Sequence, residues 1–146
     1  GAQSVGIAQA AYEEARKYYD TTIELDPLVL EVARKNPWSA ELFSSPRIHQ
    51  MVGDSVELLP EMPDGRFQRI LHDPPAFNIA GELYSGAYYH QLYRLLRPGG
   101  RLFHYIGSLE STTGRSVAKG AARRLLEAGF QRVERAMDAF GLVAFR

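Results

Sequence analysis

The sequence predicts an α/β fold: a mostly parallel sheet with helices on both faces, closed at its C-terminal end by an antiparallel hairpin. Three observations predict it. Short β-branched or apolar runs alternate with helix-patterned segments along the chain, as in a parallel sheet covered by helices. The last two strand-like runs, QRVERAM and LVAFR, flank an AFG turn, a link too short for a parallel crossover and suited to a hairpin. The 146 residues, 45% apolar and 23% charged, have the size and composition of a single globular domain.

The elements follow in order. Ser4 is placed to cap a helix over 4–18, where Ile7, Ala8, Ala11, Tyr12, Ala15 and Tyr18 recur at helical spacing. TTIEL, 21–25, is short and β-branched and reads as a strand. Asp26 is a good N-cap and Pro27 suits the first helical position, so DPLVLEVARKN opens a second helix that Pro37 ends. WSAELF adds a short helical turn. RIHQMV, 47–52, is a strand broken by Gly53 and Asp54, and a short helix over 56–59 stops in PEMPDG. FQRILH, 67–72, is the next strand. Residues 86–96 are helical and finish at Arg97-Pro98-Gly99-Gly100, and RLFHYI, 101–106, is a strand. SVAKGAARRLLEAG is a helix with its end signal at Gly129.

Composition narrows the function. Lys plus Arg equals Asp plus Glu at 17 each, so no broad field draws the chain to nucleic acid or an anionic membrane. The absence of cysteine excludes disulfides, thiolate catalysis and cysteine-zinc sites. No apolar run approaches the ~20 residues that span a bilayer, and a cytoplasmic location is expected. His49, His72, His90 and His104 lack metal-ligand spacing, and no metal is expected. His72 and His104 fall near strand ends and read as packing or rim hydrogen bonding. Tyr84, Tyr88, Tyr89 and Tyr93 read as a packed helix face, and Arg123 and Arg124 as a solvated one.

Ligands of open α/β sheets bind outside the carboxyl ends of the strands. Three successive strands here end on an acid, Glu24, Asp54 and Asp73, and are expected to deliver it to one rim. Glu24, next to Leu25, can accept both hydroxyls of a ribose; the plainer reading is a solvated or capping acid, but Asp26 already supplies that cap. Asp54, in GDS, can accept from an exocyclic amine while the Ser55 NH approaches a ring; it is equally a helix N-cap. Asp73 opens DPPAF. Its carboxylate can receive an amine, and Pro74 and Pro75 offer acceptor carbonyls in a stiff loop. Phe77 supplies a flat face, or is simply buried in a proline-rich turn. Glu82 and Tyr84, in AGELYS, form a lid that touches substrate, or a loop with a solvated Glu, a packed Tyr and Ser85 capping the next helix.

TIELDP, GDS, HDPPAF and PGGRLFHYIG together resemble a class I S-adenosylmethionine-dependent methyltransferase over nearly the whole chain. NPWS, HDPPAFNIAGELYS and GGRLFHYIG resemble, more narrowly, a group of archaeal-type methyltransferases with a DPP motif. The resemblance implies a Rossmann-like, seven-stranded sheet with one reversed strand, and S-adenosylmethionine as cofactor. It implies Glu24 on the cofactor ribose, Asp54 near the adenine, and Asp73, Pro74, Pro75 and Phe77 at the motif that holds an acceptor amine. Ala76 stands between the prolines and Phe77, where the family pattern has the aromatic follow directly. That departure weighs against base stacking and a nucleic-acid acceptor. The family's first strand and glycine-rich turn would precede the first helix, and GAQSVGI resembles the tail of that turn, with Gly1 its trace. The chain is therefore expected to be a single methyltransferase-like domain, 1–146, lacking that central strand, with weakened folding and cofactor binding.

The expected chemistry is in-line methyl transfer to an amine of RNA, protein or a small molecule. Asp73 and the Pro74 carbonyl would aim the amine lone pair, and such alignment supplies ~7–11 kcal/mol of barrier lowering. An NAD-dependent enzyme would need an intact GxGxxG ahead of the first helix, which the chain does not show. An aminopropyltransferase using decarboxylated S-adenosylmethionine would want more acids around its substrate than Asp73 and Glu82. A partner-binding remnant without cofactor is the non-enzymatic alternative.

Overall fold

The structure, a computed structural model, describes residues 20–24 and 26–146. Gly1, Leu25 and the helix expected over 4–18 lie outside the described residues. The chain divides into two compact units between Leu58 and Leu59.

In the first unit, β1 (Asp20–Glu24) pairs in parallel with β2 (Ile48–Val52), with Glu24 opposite Val52. The crossover holds α1 (Pro27–Arg34), a 3-10 turn over Pro37–Ser39 and α2 (Ala40–Ser44). Asp26 Oδ1 accepts from the Leu28 NH at 2.8 Å, the expected cap. Asn36 does the same for the 3-10 turn, accepting from Trp38 NH at 3.1 Å. Gln50 Nε2 donates to the Leu42 carbonyl at 3.0 Å, tying β2 to α2. Arg34 lies 4.3 Å from the Phe43 ring centroid. α3 (Ser55–Leu58) ends the unit.

The second unit holds β3 (Phe67–His72), α4 (Gly86–Leu95), β4 (Leu96–Tyr105), α5 (Thr112–Glu127), β5 (Arg132–Ala136) and β6 (Gly141–Phe145). Its sheet has the order β3-β4-β6-β5. β3 and β4 are parallel, while β6 runs against both β4 and β5. The C-terminal antiparallel hairpin and single reversed strand are therefore as the short link requires. Leu95, Leu96, Leu102, Leu125, Leu142, Ala121 and Ala144 form the buried centre, each leucine contributing about 1.5–3 kcal/mol of burial.

Two boundaries differ from expectation by four or five residues. β4 starts at Leu96, not at 101, because Leu96 already pairs with Phe67 and the register then slips before Arg69. The RPGG segment is absorbed at this slip. Gly99 takes φ 76°, and a Cβ on Gly100 would come within 2.8 Å of the Arg97 carbonyl oxygen. Arg146 holds the same junction by donating to the carbonyls of Tyr93, Arg94 and Leu96. α5 starts at Thr112 rather than Ser116, because Ser111 accepts from the Gly114 NH at 3.0 Å and caps it early. Gly129, at φ 115°, closes that helix as expected.

Candidate active site

In the first unit, two predicted acids come together. Gly53 NH donates to the Glu24 carbonyl at 3.0 Å, which places GDS beside the end of β1. Glu24 and Asp54 are both half-buried at these neighbouring strand ends. Asp54 Oδ1 accepts from the Val56 NH at 2.8 Å, so its capping role is present. Glu24 is not wholly free, contrary to the expectation that Asp26 relieves it. Its Oε1 accepts from the Asp26 NH at 3.0 Å, because the Asp26 side chain turns forward to cap α1 and leaves its own NH to Glu24. A carboxylate has two oxygens, so Glu24 retains one for a ribose diol. Ser55 opens α3. These carboxylate acceptors fit the ribose hydroxyls and exocyclic amine of an adenosine-bearing cofactor.

In the second unit, Asp73 follows the last residue of β3 directly and lies exposed at the strand's carboxyl end. Partial desolvation pushes its carboxyl above the ordinary aspartate range. The loop after it is braced from below. Tyr84 is 2% exposed, and its hydroxyl donates to the Pro75 carbonyl at 3.0 Å. Burial, and then the charge of Asp73, push that hydroxyl's pKa up. The Ala76 carbonyl accepts from the NH groups of Ile79 and Ala80 at 2.8 and 3.2 Å, folding the segment into a tight turn. Phe77 is 45% exposed, its ring edge-on to Tyr84 at 5.3 Å. Glu82 is exposed, and Ser85 caps α4 by accepting from the Tyr88 NH at 3.1 Å. The features of the plainer reading of AGELYS are all present: an exposed Glu82, a packed Tyr84 and a capping Ser85.

Beneath this loop lies a buried polar cluster. The rings of His72 and His104 stand 4.5 Å apart. His104 is fully buried; its Nδ1 faces the His72 carbonyl at 3.4 Å and its Nε2 faces the Tyr89 hydroxyl at 2.9 Å. A carbonyl only accepts, so Nδ1 carries the proton and Tyr89 donates to Nε2. His72 Nε2 lies 3.0 Å from the Leu83 carbonyl and donates to it by the same reasoning. Burial lowers His72 to about 4. Burial, and then its histidine neighbour, lower His104 to about 3. Both rings are neutral spacers holding the floor of the loop, which is the packing role expected of them. Tyr88 and Tyr89 are buried on α4, as their spacing predicts.

Arg124 corrects a sequence expectation. It is half-buried rather than solvated, and its Nε donates to the Tyr84 carbonyl at 2.7 Å. The signal was present: Arg124 comes three residues after Ala121 and seven after Val117, on the edge of the stripe Ala118, Ala121 and Leu125. Arg123 does face solvent, paired with Glu127 at 3.3 Å. Among the described residues no three acids or histidines are grouped to hold a metal ion, and no helix is long and apolar enough to cross a membrane.

No family model matches the chain. It is 40% identical over 144 residues to an uncharacterized protein of Methanocaldococcus jannaschii, across 97% of this chain and 50% of that protein. It is 33% identical over 96 residues to a polyamine aminopropyltransferase of Mycobacterium tuberculosis, across 62% of this chain and 18% of the relative. The chain thus spans at most half the length of these relatives. Among solved structures, spermidine synthase in complex with the transition state analogue AdoDATO aligns with a TM-score of 0.67 at 23% identity, over 86% of this chain and 45% of that one. PigF with SAH aligns with a TM-score of 0.54 at 17% identity, over 97% and 48%. These likenesses show the fold, the Rossmann-like α/β fold of methyltransferases and spermidine synthases.

Proposed function

We propose that this chain belongs to a transferase that uses an S-adenosyl sulfonium donor, and that the group transferred is a methyl received by an amine at Asp73. The observation that carries the reading is the braced DPP rim. A carboxylate stands at the end of a parallel strand, followed by two prolines fixed through the Tyr84–Pro75 hydrogen bond of 3.0 Å. S-adenosylmethionine, when bound, supplies an activated methyl on sulfur. Glu24 is assigned to the ribose hydroxyls and Asp54 and Ser55 to the adenine, with Gly1 and Leu25 as further cofactor contacts. Asp73 and the Pro74 carbonyl orient the amine. The raised carboxyl of Asp73 also makes it a stronger acceptor for the amine's departing proton. Pro75, Phe77, Glu82 and Tyr84 shape the acceptor side, where the offset of Phe77 favours a small amine or a protein side chain over a nucleobase.

Aminopropyl transfer is the second reading, favoured by the relatives named polyamine aminopropyltransferase. The co-products separate the two. Methyl transfer leaves S-adenosylhomocysteine; aminopropyl transfer from decarboxylated S-adenosylmethionine leaves methylthioadenosine. Incubating the intact protein with each donor and a panel of amines, followed by mass spectrometry, is the test. S-adenosylhomocysteine, lost in Asp73→Ala while nucleoside binding persists, is the expected result. Methylthioadenosine instead would establish the second reading. If calorimetry shows that the folded protein binds neither nucleoside, the transferase reading is overturned in favour of a partner-binding role.

A further inference from the structure

We propose that Arg124 selects the acceptor, and that the acceptor bears an anionic group, a carboxylate or phosphate, beside its amine. This inference rests on the transferase reading and names the substrate class of the same rim. It starts from a cation that is seated with care. Arg124 Nε is committed to the Tyr84 carbonyl at 2.7 Å. The rest of the guanidinium lies over Gly120, where a Cβ would come within 3.3 Å of both Nη atoms. Glycine at that position leaves the fork room. The guanidinium carbon stands 6.0 Å from the Phe77 ring centroid, on the acceptor side of the DPP loop.

Among the described residues no carboxylate forms an ion pair with Arg124, whereas Arg94, Arg123 and Arg132 each have one. A half-buried guanidinium without a counter-ion favours an anionic ligand, and its planar fork matches a carboxylate or phosphate in bidentate fashion. Its charge is felt inside the cluster, where it helps lower His104.

Tyr84 links this cation to the acid. Asp73 acts on the Tyr84 hydroxyl, and Arg124 holds the Tyr84 carbonyl. Phe77 packs edge-on against the ring between them and remains 45% exposed. A small molecule resting on Phe77 therefore lies near the guanidinium of Arg124 and beside Tyr84, on which the Asp73 carboxylate acts. An amine goes to Asp73 and an anion to Arg124. A diamine would set its second ammonium against the guanidinium, with the exposed Glu82 the nearest loop acid in sequence to offset it. Polycations are thus disfavoured.

A matched pair of probes tests this: putrescine, and 4-aminobutyrate, in which a carboxylate replaces one ammonium. Each is titrated calorimetrically into the intact protein already saturated with S-adenosylhomocysteine or methylthioadenosine. At least tenfold tighter binding of 4-aminobutyrate is expected. Arg124→Gln should erase the preference and Arg124→Glu should reverse it. Arg124→Lys keeps the charge but loses the planar fork, and should lower the preference without erasing it; this variant also guards against loss of folding in the others. Equal or tighter binding of putrescine, no binding of either probe, or an unchanged ratio in Arg124→Gln would overturn the proposal. Loss of preference in Arg124→Lys would reduce Arg124 to a support for Tyr84 and overturn it as well. Failure of both nucleosides to bind is a separate outcome, read in the first titration, and removes the transferase reading on which the proposal stands.

Discussion

Residues 20–58 and 59–146 use the same alternation of strand and helix, yet bury very different amounts of side chain. In the first unit none of residues 21–24 and 26–58 is fully buried, and Leu28, Val29, Val32 and Trp38 stand 49–84% exposed. In the second, leucines from α4, β4, α5 and β6 are almost wholly enclosed, and two histidines are enclosed with them. The described part of the first unit is held by caps at Asp26 and Asn36, the parallel β1–β2 pair and a side-chain bond from Gln50. What holds the second is non-local burial. The difference teaches that the two candidate carboxylate sets rest on supports of unequal stiffness. Glu24 and Asp54 depend on turn and cap geometry, whereas Asp73 stands on a packed floor.

The sharpest way to break that contrast is core truncation. Leu102→Ala or Leu125→Ala should cost about 2–5 kcal/mol in denaturant unfolding. A loss below 1 kcal/mol at both sites would mean that the second unit is not the rigid one. Next comes acid. His72 and His104 are held near 4 and 3 in the folded chain, below the ordinary histidine value, so the unfolded chain binds more protons between those values and about 6.5. Stability should therefore fall as pH drops from about 6.5 toward 4, by up to ~1.4 kcal/mol per pH for each histidine, and level off below about 3. The raised carboxyl of Asp73 acts in the opposite sense and blunts this slope. Thermal unfolding against pH measures it, and an unchanged slope in His72→Gln and His104→Gln would remove the cluster as its source.

Smaller effects belong to the first unit. Asp26→Ala should cost about 1 kcal/mol through the lost α1 cap, while the backbone NH that serves Glu24 is kept. Amide exchange across 27–34 would report it, and these amides should already exchange through openings well below the global unfolding energy. Protection there equal to that of α5 would erase the comparison. Val32→Ser, at a 68% exposed position, should change stability by less than ~0.5 kcal/mol. A cost several times larger would show that this face is covered.

Much of the fold was legible because its signals are local. Asp26-Pro27 announces a helix start, Gly129 a helix end, and the AFG link a hairpin, each through backbone chemistry that needs no distant partner. The DPP rim was legible for the same reason: an acid after a strand and two prolines define a stiff acceptor loop by themselves. Boundaries set by non-local contact were not. β4 begins early because Leu96 finds Phe67 across the sheet. The early start of α5 is different: its signal, the Ser111 cap, is local and was present in the sequence. Glu24 looked free in sequence because the direction of the Asp26 side chain and NH is a matter of turn geometry.

The sequence by itself determined the α/β alternation, the reversed strand, the absence of cysteine chemistry and the carboxylates at three strand ends. Tertiary structure decided how those groups are supported. It turned Tyr84 inward onto Pro75, set two neutral histidines beneath it, and drew Arg124 out of solvent to the Tyr84 carbonyl. The reason is physical. Chain patterning fixes which residues start, stop and alternate, since those preferences act over a few bonds. The bonds of Tyr84 to Pro75 and of Arg124 to Tyr84 join residues 9 and 40 positions apart, and exist only once packing has brought those residues together.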